Sequence, residues 1–101
     1  MIRHICMFKL KSQAEGKSLD KNLQEAVKRL EGFENKIETL RKFEVKINHN
    51  EAPKDNYELV LLCDFDDIAG LEAYRIHPDH VAFGKFINSV RELRACIDYE
   101  Y

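Results

Sequence analysis

The sequence predicts an α+β domain in the order strand, helix, strand, strand, helix, strand. Three observations carry this. Four segments are apolar or alternate with period two. Two stretches among them place apolar residues at helical spacing. The breaks are single glycines, a proline and one short polar loop rather than linkers. There is no internal repeat or low-complexity stretch, and 101 residues suffice for one domain, so residues 1–101 are expected to form a single unit.

The elements follow in order. Ile2 to Lys11 reads as a strand whose two faces are both mostly apolar: Ile2, His4, Cys6, Phe8 and Leu10 on one, with Ile5 and Met7 on the other. Gly16-Lys17-Ser18 marks a break. Leu19, Leu23, Ala26, Val27 and Leu30 then recur at helical spacing, with Ser18 as N-cap, Asp20 in the first turn and Gly32 as C-terminal cap. Phe33 to Glu38 is ambiguous, one more loose turn. Leu40 to Asn48 alternates as a strand with one wet face, and residues 48–56 form a polar loop. Tyr57 to Phe65 is the third strand. Asp66 and Asp67 can cap a short helix carrying Ile68, Leu71 and Tyr74. His77-Pro78 breaks it, because the residue before proline is pushed out of the helical region. A second helical piece opens at Pro78, with Val81, Gly84, Ile87 and Val90 on one stripe. Arg94 to Tyr101 is the last strand.

This order is the ferredoxin-like arrangement, a four-stranded antiparallel sheet with helices on one face. The other face of such a sheet normally alternates to polar. Here Ile5, Met7, Val60 and Leu62 make it apolar. Leaving it wet forgoes about 25 cal/mol for each Å² of apolar surface and makes a sticky patch. The expected remedy is a second copy of the chain, giving a homodimeric α/β barrel.

Composition narrows the function. Sixteen Lys and Arg face eighteen Asp and Glu, a net charge of −2, so the basic excess of a nucleic-acid binder is missing. No apolar run approaches the roughly 20 residues of a membrane span. Lys9 and Lys11 interrupt the opening apolar stretch too early for a signal-peptide layout. Three cysteines are too few to staple a secreted fold. The expectation is a cytoplasmic chain with reduced thiols, in which Cys6, Cys63 and Cys96 are small apolar strand residues. Four scattered glycines build no phosphate loop, no CxxC or HExxH pair announces a metal, and no GxSxG elbow is present. No cofactor and no metal are expected.

One stretch stands out for chemistry: Tyr74-Arg75-Ile76-His77-Pro78-Asp79-His80. His80 falls in the first turn of a helix, where the positive end of the dipole disfavours imidazolium. A neutral imidazole can take a proton, and a nearby tyrosine hydroxyl can donate to a developing oxyanion. His4 is an unusual residue among the apolar neighbours of its strand. Each also has a plainer reading. His77 fits a helix cap, His80 a structural hydrogen bond, and Tyr74 and His4 satisfied core positions. Phe83 and Phe86 fit the core, with Gly84 between them leaving room for a cavity. His49 is expected in solvent.

The opening strand, the stretch Leu71 to His80 and the ending Ile97-Asp98-Tyr99-Glu100 resemble the stress-responsive α/β-barrel domain family over essentially the whole chain. The Tyr-x-x-His-Pro-x-His stretch is the most specific part. The resemblance implies a homodimeric barrel with a cavity between each sheet and its helices, and it implies no single reaction. A plant member closes a linear polyketide by an aldol-type condensation without metal or organic cofactor. Its catalytic tyrosine and histidine fall on Tyr74 and His80, and a pocket histidine falls on His4. The resemblance places Cys6, Leu61, Phe83, Gly84, Phe86 and Cys96 along the cavity wall. A further pocket histidine of that enzyme corresponds to Leu59 here, a departure that argues against identical substrate handling. Other families of the dimeric barrel superfamily run cofactor-free oxygenation or isomerisation. The expected ligand is a small apolar organic acid or phenol. A purely structural role stays open beside it.

Overall fold

A computed structural model describes residues 1–101. In chain order its elements are β1 (Ile2–Leu10), β2 (Gln13–Ala14), β3 (Lys17–Ser18), α1 (Leu19–Leu30), α2 (Phe33–Lys36), β4 (Lys42–Ile47), β5 (Leu59–Phe65), α3 (Ile68–Ile76), α4 (Pro78–Val90) and β6 (Arg91–Glu100). The main sheet runs β4-β5-β1-β6 with every neighbouring pair antiparallel. This is the ferredoxin-like topology, with β1 in the interior and β6 at an edge.

Local chemistry sets the boundaries. Ser18 caps α1 by accepting the Lys21 N–H at 3.3 Å, and Asp67 caps α3 by accepting the Gly70 N–H at 2.8 Å. Gly32 takes a left-handed φ of 80° just past the end of α1. His77 sits extended between α3 and α4, as a residue before proline should. Its Nδ1 accepts the Asp79 N–H at 3.1 Å, so it caps α4. The break at residues 16–18 is a small hairpin: Glu15 and Gly16 both have positive φ and join β2 to β3 in a two-residue turn. The ambiguous segment after Gly32 is the single turn α2. β6 follows α4 without a loop and starts at Arg91, three residues earlier than the sequence pattern suggests.

β1 alternates cleanly. Ile2, His4, Cys6, Phe8 and Leu10 are buried under the helices, beside Leu59, Leu61, Cys63 and Phe65 of β5. Ile5, Met7, Val60 and Leu62 lie on the opposite face, where Ile97 and Ala95 of β6 extend the apolar row. That face is bare in the single chain, with Ile97 59% exposed. On α4 the buried stripe is Phe83, Ile87 and Val90. Val81, expected on that stripe, is 44% exposed, and Ile68 of α3 likewise faces out. Phe83, Phe86, Ile87 and Val90 stand at i, i+3, i+4 and i+7 and make the inward stripe, and Val81 falls off it, so the helical period itself turns Val81 outward.

Candidate functional site

Where β1 and β6 pass beneath α3 and α4, the layer is hollow. A cavity of about 160 Å³ opens there. His4, Cys6 and Leu61 form its floor; Tyr74, His80, Phe83 and Gly84 form its roof. Wider hollows of about 560 and 540 Å³ lie near Ile47, but they are open concavities that include none of these groups. Gly84 is what keeps the roof thin: a Cβ added there would meet nothing within 4 Å.

The polar groups are each half satisfied. His80 Nδ1 lies 3.1 Å from the Arg75 carbonyl oxygen. A carbonyl only accepts, so Nδ1 carries the proton and Nε2 keeps its lone pair. His4 Nδ1 bonds the Asp98 carboxylate, which also takes the Arg75 guanidinium at 3.1 Å. Neither histidine's Nε2 has a protein partner, and neither is sealed from accessible space. Tyr74 is 1% exposed. Its hydroxyl oxygen receives the Cys63 thiol at 3.9 Å, which leaves its own proton to donate. The rings form a row, with Tyr74 centred 4.4 Å from His80 and 6.1 Å from His4.

Burial tunes these groups. It is the main cause lowering the His80 pKa from its ordinary 6.5; the Arg75 carbonyl opposes, and His4, Arg75 and Arg94 add repulsion. The direction matches the expectation of a neutral imidazole, but desolvation rather than the helix start is the leading cause. Burial raises the Tyr74 pKa well above its usual 10.0, so the phenol keeps its proton. Burial likewise pushes the Cys63 thiol up to about 12.

The structure brings His4, Cys6, Leu61, Tyr74, His80, Phe83 and Gly84 to one cavity. It does not bring Phe86 there. That ring is half-buried against the core on the α1 side of α4, with the Arg29 guanidinium 4.3 Å from its centre. Cys96 is at the rim rather than in the wall, and it is joined to Cys6 by a disulfide. The expectation of three reduced thiols is therefore corrected for this pair: β1 and β6 set Cys6 directly opposite Cys96. Sequence reasoning also missed Arg94, Asn88 and Ile87 in the wall and Asp98 behind His4. The register was the available signal, since Asp98 lies opposite His4 and Arg94 opposite Phe8. Although no metal motif is present, ligand atoms of His4, Cys6 and Cys96 all lie within 4.8 Å of one another. His49 is exposed, its Nδ1 accepting the Glu51 N–H.

Residues 2–101 match the model of the stress responsive A/B barrel domain (Dabb) family, and the chain belongs to that family. No curated protein matches the sequence. Among solved structures, a dimeric ferredoxin-like protein of unknown function from Bacteroides fragilis is 33% identical, with a TM-score of 0.81 over 99% of this chain and 95% of that one. A dimeric ferredoxin-like protein of unknown function from Jannaschia is 28% identical, with a TM-score of 0.75 over 99% and 98%. A hydroxynitrile lyase from Passiflora edulis is 18% identical, with a TM-score of 0.77 over 97% and 90%; at that identity the likeness is one of fold.

Proposed function

We propose that this stress-responsive A/B barrel protein is a homodimer whose cavity, one per chain, binds a small organic acid or phenol. The carrying observation is the hollow itself, a largely apolar chamber in which His4 and His80 each present an unpaired Nε2 and Tyr74 an undonated hydroxyl proton. Its size sets the ligand: a cavity of roughly 150 Å³ accommodates benzene, so a single ring or a short chain fits about 160 Å³. Arg94 is the one permanently charged side chain in the wall and favours a carboxylate. The dimeric neighbours and the bare apolar sheet face support self-association through that face. The balanced charge argues against nucleic acid as a partner, and no helix is long and apolar enough to cross a membrane. We place the chain in the cytoplasm on its odd cysteine count, a setting in which a disulfide is usually a reversible one.

The test is a thermal-shift screen of single-ring phenols, β-keto acids and short aliphatic acids, on wild type and on a Tyr74→Phe, His80→Ala double variant. Ligand at 100 times its dissociation constant stabilises by about 2.7 kcal/mol. A hit that the double variant loses supports the site. Hits that the variant retains, or none at all, overturn it. Light scattering tests the dimer, and a monomeric mass at micromolar concentration would count against it.

A second reading rests on the His80 tautomer. With Nδ1–H held by the Arg75 carbonyl, Nε2 is a free base facing the chamber, and Tyr74 is a protonated donor beside it. The pair suits a cofactor-independent lyase, cyclase, isomerase or monooxygenase: His80 removes a proton next to a carbonyl and Tyr74 holds the enolate oxygen. General base catalysis contributes roughly 10²–10⁴-fold, so His80→Ala should lower turnover by about that factor. A variant with full turnover would remove His80 from the reaction.

A further inference from the structure

Cys6 and Cys96 have two uses, and only one of them is the disulfide. His4 and Cys6 are two apart on β1, and Cys96 and Asp98 are two apart on β6. The antiparallel register sets Cys6 opposite Cys96 and His4 opposite Asp98. Four donor residues therefore occupy a two-by-two patch on the helix side of the sheet. The sulfurs and the His4 imidazole already have ligand atoms within 4.8 Å of one another.

We propose that the reduced protein binds one thiophilic divalent cation of the zinc class per chain, held by Cys6, Cys96 and His4. Zinc takes sulfur at about 2.3 Å and nitrogen at about 2.0 Å. Small side-chain rotations on fixed strands bring the three donors to those distances once the sulfurs are unbonded. Two thiolates and an imidazole form a soft set that selects zinc-like ions over magnesium or calcium. Asp98 supplies what such a histidine needs from behind. It accepts the Nδ1–H, fixes the tautomer and leaves Nε2 as the ligand atom. Three protein ligands leave a fourth position open, and the floor residues His4 and Cys6 direct it to the cavity.

Disulfide and cation use the same two sulfurs and exclude each other. A dithiol reductant delivers two electrons and two protons, the Sγ–Sγ bond breaks, both sulfurs become thiols, and the reductant leaves as its own disulfide. The cation then displaces the thiol protons. Entry is from the β6 side, where Cys96 is exposed while Cys6 is 3% exposed. The site does not depend on the organic ligand proposed above, and its test does not use one.

The test reduces wild type with dithiothreitol, removes the reductant under nitrogen and titrates with Co²⁺. Thiol counting verifies three free thiols after denaturation, and circular dichroism verifies the fold. The expected result is a sulfur-to-cobalt charge-transfer band with tetrahedral visible bands, saturating at one equivalent per chain and abolished by Zn²⁺. Unreduced protein should show neither. Cys96→Ser should lose about half of the charge-transfer intensity, one thiolate of two, and Asp98→Asn should bind about 10–100-fold more weakly with the band retained. A fully reduced, folded protein with no charge-transfer band would overturn the proposal. Unfolding on reduction would do so equally, since the site needs β1 and β6 paired. Because wild type serves in both redox states, the outcome does not hinge on a variant's folding.

Discussion

The layer between sheet and helices has a solid end and a hollow end. At the solid end, Phe33 stacks on Phe43 at 5.6 Å and meets the edge of Phe83 at 6.3 Å, among buried Leu30, Ile37 and Leu40. Every one of these groups is apolar and is placed by fit. At the hollow end, His4, Tyr74 and His80 surround open space: each histidine spends Nδ1 on the protein and keeps Nε2, and the Tyr74 hydroxyl accepts from Cys63 and keeps its own proton to donate. Phe83 divides the two, touching Phe33 on one side and Phe8 at 6.2 Å on the cavity side. The contrast shows how a small chain separates its tasks. Packing energy collects where nothing binds, so the other end can forgo close packing and hold partly satisfied groups in place.

The largest expected effect breaks the solid end. Phe33→Ala should cost about 3–5 kcal/mol in urea unfolding, because it removes a ring that is 2% exposed and leaves a void. Tyr74→Phe at the hollow end gives up only the weak Cys63 contact and should cost about 1 kcal/mol or less. Equal costs would show that the division is false. Next is the covalent tie across the hollow end. Cys6 and Cys96 are 90 residues apart, so reduction releases a long loop in the unfolded chain and should lower stability by about 2–4 kcal/mol. A loss well under 1 kcal/mol would mean that the pair does not brace the sheet edge.

Gly70 of α3 and Gly84 of α4 differ in the same way as the two ends. A Cβ on Gly70 would meet Asp67 at 3.4 Å and Phe65 and Thr39 at 3.5 Å, whereas one on Gly84 would meet nothing. Gly70→Leu should therefore cost about 1–3 kcal/mol or more through overpacking. Gly84→Leu should change stability by about 1 kcal/mol or less, the scale of the helix-propensity difference, while filling the chamber and abolishing ligand-induced thermal shifts. Retained shifts in that variant would place the ligand elsewhere.

Much of the solid end is legible in the sequence, because period-two and helical spacing encode which side of each element is apolar. His77 as a cap is legible for the same local reason. The hollow end is less so. Tyr74, His80 and His4 stand out as polar residues in apolar company, but their partners come from β6, and only strand register assigns them. Asp98 behind His4, Arg94 in the wall and Cys96 against Cys6 all follow from one pairing that composition does not announce. Phe86 is misplaced for a different reason. Phe83, Phe86, Ile87 and Val90 share one helical stripe, so spacing turns all four toward the core without saying which part of it each meets; Phe83 packs on Phe8 and Phe33 beside the cavity, and Phe86 meets Arg29 of α1 instead.

The smallest expected effect is a pH dependence confined to the hollow end. Desolvation holds the folded-state pKa of His80 below its ordinary 6.5. The imidazole thus stays neutral into mildly acidic solution, and the acid limb of ligand binding or turnover should lie below pH 6.5 rather than at it. The same shift works against stability. Below the unfolded pKa the unfolded chain binds a proton more readily than the folded one, so stability falls as pH drops through about 6.5 and the loss levels off below the folded value. His80→Gln keeps a polar side chain at the site but removes the titration, so its urea midpoint should be flatter than that of wild type between pH 7 and 5. Phe33→Ala, with His80 intact, should keep the wild-type slope while lying lower throughout. Parallel profiles for wild type and His80→Gln would show that the imidazole is as well solvated as a free one, and the hollow end would lose its claim to a tuned base.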